Sequence, residues 1–151
     1  MTVPQQLTAR QVGPTFAGEV TGLDFTKPFP PDLRDQVENL MYKYGVLIFR
    51  NIPGMNNERH LEFSKLFGEL DSNPIVFGQK TRLGNENLFD ISNLAADNKT
   101  ILEPTDRRFK FGKRNALWHV DASFNQHRDK YSILAAYIVP ENGGDTHVFP
   151  R

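Results

Sequence analysis

Between Pro31 and Gly45 the apolar residues Leu33, Val37, Leu40, Met41 and Tyr44 fall at spacings of 4, 3, 1 and 3. That is one face of a helix with 3.6 residues per turn. Pro31 suits a first helical turn, where its missing N–H would have no partner in any case. Asp32 and Asp35 stand at the positive end of the helix dipole, and Gly45 is a good C-terminal stop. Directly after the stop comes Val46-Leu47-Ile48-Phe49, apolar on both sides of a pleat, which predicts a buried strand rather than an edge. Upstream, Phe16-Ala17-Gly18-Glu19-Val20 reads as a short strand followed by the turn-like Thr21-Gly22, and Lys27-Pro28-Phe29-Pro30-Pro31 as a rigid connector. Downstream, Asn51-Ile52-Pro53-Gly54 turns the chain. Asn56 or Asn57 then caps a second helix, with Leu61, Phe63, Leu66 and Phe67 as its apolar positions and Gly68 as its end. The first 70 residues thus read strand, helix, strand, helix, a mixed α and β pattern.

The stretch from 71 to 115 is less regular. Leu88-Phe89-Asp90-Ile91-Ser92 alternates like a strand, and Asp97-Asn98-Lys99-Thr100 is loop-like, its glycosylation-type triplet incidental. Residues 107–114 carry five cations in eight positions, interleaved by Phe109 and Phe111. Such a run is expected to be a solvated loop. Phosphate tracking with base stacking is the sharper alternative. Residues 131–139 read as a strand, Pro140-Glu141-Asn142-Gly143-Gly144 as a turn, and a last strand is expected from Asp145 onward.

With 151 residues the chain is expected to be a single domain over 1–151, or part of a larger one. Eighteen basic residues balance eighteen acidic ones, so no global charge favours nucleic acid or an anionic membrane. The absence of Cys excludes disulfide scaffolds, zinc ribbons and thiol nucleophiles. No apolar run approaches the roughly 18 residues of a membrane span. The first residues lack the basic and apolar regions of a secretion signal, and Phe149-Pro150-Arg151 is no peroxisomal address. A soluble cytoplasmic protein is the expectation.

The chemistry concentrates in Leu117-Trp118-His119-Val120-Asp121. In extended backbone, side chains two apart share a face, with Cα atoms about 6.5–7 Å apart. The imidazole of His119 and the carboxylate of Asp121 can therefore converge on one cation. They supply two members of a 2-His-1-carboxylate facial triad, the ligand set of non-haem iron(II) oxygenases. His-x-Asp alone fits a surface ion pair equally well, so the surrounding sequence decides.

Trp118 precedes His119, and Ala122-Ser123-Phe124 follows Asp121. After a loop come Tyr131-Ser132-Ile133-Leu134-Ala135-Ala136 and then Pro140-x-x-Gly143-Gly144-Asp145-Thr146. With these motifs the sequence resembles the family of taurine dioxygenase and 2,4-dichlorophenoxyacetate dioxygenase, more closely the latter branch. The likeness extends to residues 14–24, 44–50 and 63–68 and covers about residues 7–148. It implies an α+β fold: an incomplete double-stranded β-helix (a jelly roll of the clavaminate synthase-like kind) with flanking N-terminal helices. It implies an iron(II)- and 2-oxoglutarate-dependent dioxygenase that uses O₂ to hydroxylate a small, anionic organic substrate, releasing succinate and CO₂.

Carried over by the resemblance, His119 and Asp121 match the first two iron ligands. Thr146 matches the hydroxyl that binds a carboxylate of 2-oxoglutarate, a charge-assisted bond. Asn115 matches a position that contacts cosubstrate or substrate, and Ala122 one that lines the substrate pocket. No side chain is assigned a direct catalytic role, and Trp118 is expected to pack in the core. The basic run is then expected to draw in an anionic substrate through Arg107 and Arg108. The family's third ligand, a distal His, and its 2-oxoglutarate-binding Arg have no match here. His60 is expected on the surface, His127 in a polar loop, and His147 facing away from Thr146. The expectation is a C-terminally truncated member. Its open sheet edges and apolar face would invite aggregation or pairing with a second copy, so a homo-oligomer is among the expected states. The alternative is an inactive remnant acting as a weak metal-binding or interaction module.

Overall fold

A proline ahead of it and a glycine behind it bracket the first helix. In the computed structural model, which describes residues 5–71, 83–113, 117–123 and 125–149, helix α1 spans Leu33–Tyr44. Leu33, Val37 and Tyr44 are buried on its inner face, with Leu40 and Met41 partly buried beside them. Gln36 donates from Nε2 to the Asp32 carboxylate at 3.0 Å in the first turn. At the other end Gly45 adopts φ +68°, where only glycine is unstrained, and its N–H returns to the Met41 carbonyl at 2.8 Å.

Three strands lie beside this helix: β1 Thr8–Gln11, β2 Gly18–Thr21 and β3 Leu47–Phe49. β1 pairs antiparallel with β2 (Ala9 opposite Val20), and β2 pairs parallel with β3 (Val20 opposite Phe49). A parallel pair needs a crossover, and α1 is that crossover. Gly18 is required by packing, since a Cβ there would stand 2.7 Å from the Tyr44 ring. Helix α2, Asn57–Lys65, starts at Asn56, whose side chain accepts the Arg59 N–H at 2.9 Å.

The core of this part is aromatic. Leu7, Val20, Leu23, Phe25, Leu33, Val37 and Phe63 form one buried cluster. The Phe63 ring meets Phe25, Phe29, Phe49 and Phe67 with centroids 5.2–6.1 Å apart, in mostly edge-to-face contacts. Ahead of β1, buried Gln5 donates to the Pro28 carbonyl and accepts the Asp24 N–H, while Leu7 N–H is taken by Gln36.

Several expectations are corrected. β1 has no sequence signal, because an exposed edge strand of Thr, Ala, Arg and Gln does not alternate apolar and polar residues. The Phe16 strand begins two residues later, since Ala17 adopts φ +71° and leaves the β region. β3 is half-buried at the edge of the three-stranded sheet rather than in its interior. Helix α2 stops at Lys65, three residues short of Gly68, with a turn through Leu66 and Phe67. His60 is only 8% exposed, because it shares the inner side of α2 with Phe63 three residues on.

The chain divides into two compact units, Met1–Gly68 with Ile133–Arg151, and Glu69–Ser132. In the second unit residues 88–92 form no strand; the only bridge there among the described residues joins Leu94 to Ile101. Asp97 makes the expected loop, accepting the Lys99 and Thr100 N–H groups at 2.9 Å each. Part of the basic run is helical, not a loop: α3 covers Arg107–Gly112, with Asp106 accepting the Arg108 N–H at 2.7 Å. Residues 131–139 and the stretch from Asp145, expected as strands, have no ladder partner among the described residues. A strand exists only where a neighbour takes its N–H and C=O groups, however apolar its side chains. Ile138 is accordingly 81% exposed, and beside it Tyr137 donates to Asn57 Oδ1, eighty residues away in sequence, at 2.8 Å.

Candidate metal centre

His119 lies in irregular backbone, and Asp121 opens a turn through residues 121–123. Ala122 stands at φ +50° inside that turn, and its carbonyl accepts the Asn125 N–H at 3.0 Å. The chain therefore bends just after the carboxylate instead of running on as a strand. Imidazole Nε2 stands 3.3 Å from Asp121 Oδ1, and both side chains are at least half exposed.

The remaining atoms of the two side chains are tied. His119 Nδ1 stands 2.6 Å from the Leu117 carbonyl. A carbonyl only accepts, so Nδ1 carries the proton and Nε2 presents its lone pair in the neutral ring. Ser132 Oγ donates to Asp121 Oδ2 at 3.0 Å, leaving Oδ1 facing the ring. A ring lone pair and a carboxylate oxygen facing each other are two acceptors. A shared cation, or a proton on Nε2, holds such a pair together. Neighbouring ligand atoms on an octahedral ion with bonds of about 2.1 Å lie about 3.0 Å apart. The pair thus fits a hard or borderline divalent cation in both chemistry and spacing. Among the described residues no group of three or more His, Cys, Asp and Glu side chains is gathered to hold a metal.

The other expected site residues fall elsewhere. Thr146 is exposed in the irregular stretch after Gly143 and Gly144, within the first unit, whereas His119 and Asp121 belong to the second. Asn115 lies outside the described residues. Ala122 is half-buried in the turn. Trp118 is corrected: it is 72% exposed rather than packed in the core, because its neighbours on both sides are exposed too. His127 is exposed in its loop, as expected. His60 is held by its own surroundings: burial pushes its pKa down, opposed by a hydrogen bond with the Ile133 backbone. Leu117 and Ser132 were not anticipated. The Leu117 contact is made by a backbone atom, and Ser132 arrives from eleven residues along the chain, so no motif announces either.

The family model described as taurine catabolism dioxygenase TauD, TfdA family, matches residues 8–149, and the chain belongs to that family. It is 35% identical over 142 residues to an alpha-ketoglutarate-dependent 2,4-dichlorophenoxyacetate dioxygenase of Burkholderia sp. (strain RASC), covering 93% of this chain and 47% of the relative. A protein of the same name from Cupriavidus pinatubonensis is 34% identical, with 93% of this chain and 48% of the relative covered. The chain therefore spans about half the length of these relatives. Among solved structures, that of AAD-2 in complex with Mn(II) and N-oxalylglycine superposes with a TM-score of 0.64 at 32% identity, over 80% of this chain and 38% of the other.

Proposed function

We propose that this sequence is the front portion of one oxygenase domain, continuous over residues 1–151, in which His119 and Asp121 hold iron(II) and Thr146 binds a carboxylate of 2-oxoglutarate. The observation that carries the reading is the facing pair, His119 Nε2 to Asp121 Oδ1 at 3.3 Å with Nδ1 already engaged by Leu117. It stands inside a family match that runs across both compact units. The domain would be a double-stranded β-helix of which this sequence carries the early strands. The apolar residues 131–139 support that, being strand-like in sequence and joining no ladder among the described residues.

When bound, iron(II) would supply the coupling of O₂ reduction to decarboxylation of 2-oxoglutarate, so that one oxygen atom enters succinate and the other a substrate C–H bond. The chain's own contributions are simpler. His119 offers a neutral nitrogen, fixed in one tautomer by Leu117. Asp121 offers one oxygen and its negative charge, which offsets the charge of the cation. Asn115 contacts the cosubstrate or substrate, and Ala122, held in a left-handed turn, brings only a methyl group to the substrate side. The substrate is read as a small organic anion. The relatives named for 2,4-dichlorophenoxyacetate support this, as does the exposure of Arg107 and Lys110 on α3 to solvent.

Anaerobic addition of iron(II) and 2-oxoglutarate tests the reading. The expected result is a metal-to-ligand charge-transfer band that is lost in His119→Ala and in Asp121→Ala. Weak binding of iron(II) with no such band would instead favour a remnant that only binds metal.

A further inference from the structure

The Asp121 carboxylate has two chemically equal oxygens, and its terminal torsion is soft, so by itself it would offer either one, or both, to a cation. The structure removes that freedom. Oδ2 accepts the Ser132 hydroxyl at 3.0 Å while Oδ1 faces His119 Nε2 at 3.3 Å. Ser132 stands eleven residues from Asp121, so this bond is not a by-product of the local turn. It closes the loop 121–132 onto the carboxylate. The imidazole is treated in the same way, with Nδ1 on the Leu117 carbonyl and Nε2 left facing the carboxylate.

We infer that Ser132 is a positioning residue that makes Asp121 a one-oxygen ligand, holding Oδ2 away so that Oδ1 alone meets the ion beside His119. This rests on His119 and Asp121 being ligands, and it adds a residue that ligates nothing itself. Asp121 would thereby occupy one coordination position instead of two, which leaves a further position for a chelating cosubstrate. Removing an outer partner of a metal-bound group costs about 10–100-fold in metal affinity.

The test is titration of the full chain with Co(II), followed by its visible d–d absorption, in wild type, Asp121→Ala, Ser132→Thr and Ser132→Val. Thr and Val have the same shape and differ only in the hydroxyl, so a folding defect from the added branch strikes both, and circular dichroism records it. The expected result is binding by wild type and Ser132→Thr, with the same band. Ser132→Val should bind about 10–100-fold more weakly with a shifted band, and Asp121→Ala not at all. Equal affinity and band for Ser132→Thr and Ser132→Val, with Asp121→Ala inactive in binding, would overturn the role of Ser132 and leave the ligand reading standing. Unchanged binding by Asp121→Ala, or none by wild type, would overturn the ligand reading and the inference together.

Discussion

Residues 8–67 and residues 131–149 are both rich in apolar side chains, and the structure treats them in opposite ways. In the first stretch Phe63 is buried under four other rings, and β2 has a partner on each side. In the second, Ile138 and Val139 stand in solvent and no ladder forms among the described residues. The difference is one of hydrogen-bond supply. A helix closes its own backbone bonds, so α1 and α2 need only a surface to lie on. A strand borrows them, and the partners of β2 lie within thirty residues of it in sequence. On the function proposed above, the partners of residues 131–139 belong to the half of the family domain that this sequence does not span.

The largest effect that sharpens this contrast is a truncation inside the ring cluster. Phe63→Ala should lower unfolding stability by about 3–5 kcal/mol in a urea titration, because it opens a cavity among packed rings. Trp118→Ala, a larger deletion on an exposed segment, should change it by no more than about 0.5 kcal/mol. Equal losses for the two would break the comparison, since aromatic content alone would then set stability.

Legibility in the sequence follows the same division. Residues 31–45 declare a helix because the apolar positions, the acidic first turn and the glycine stop all agree; α1 ends at that stop but starts at Leu33, two residues after Pro31. β1 and α3 carry no such agreement: the one is polar and held by its neighbour, the other is six residues set by an Asp106 cap. Residues 131–139 show the reverse, a strand pattern that composition announces and pairing withholds. At the site, the two-residue spacing puts His119 and Asp121 side by side, as expected, although the segment is not a regular strand and a left-handed turn follows at Ala122. Ser132 was illegible because a single hydroxyl eleven residues away has no periodic signature.

A smaller effect probes the buried side of α2. Burial holds His60 below the ordinary imidazole value, against the weaker opposing pull of its hydrogen bond with the Ile133 backbone. The unfolded chain, with its imidazole titrating near about 6.5, therefore takes up the proton first as pH falls. The contribution of neutral His60 is present above that pH and is lost as pH drops through it towards the lower folded value. Melting temperatures recorded from pH 7.5 down to 5.0 should fall more steeply for wild type than for His60→Gln. Parallel curves would mean that His60 is not buried in solution.

The central claim is that one particular imidazole of the four in this chain meets the metal. X-ray absorption of the Co(II)-loaded chain reads it directly through the scattering signature of a bound ring. The prediction is one imidazole in the first coordination shell, retained in His60→Gln, His127→Gln and His147→Gln and absent in His119→Ala. An unchanged ring signature in His119→Ala, or its loss in one of the other three, would contradict it.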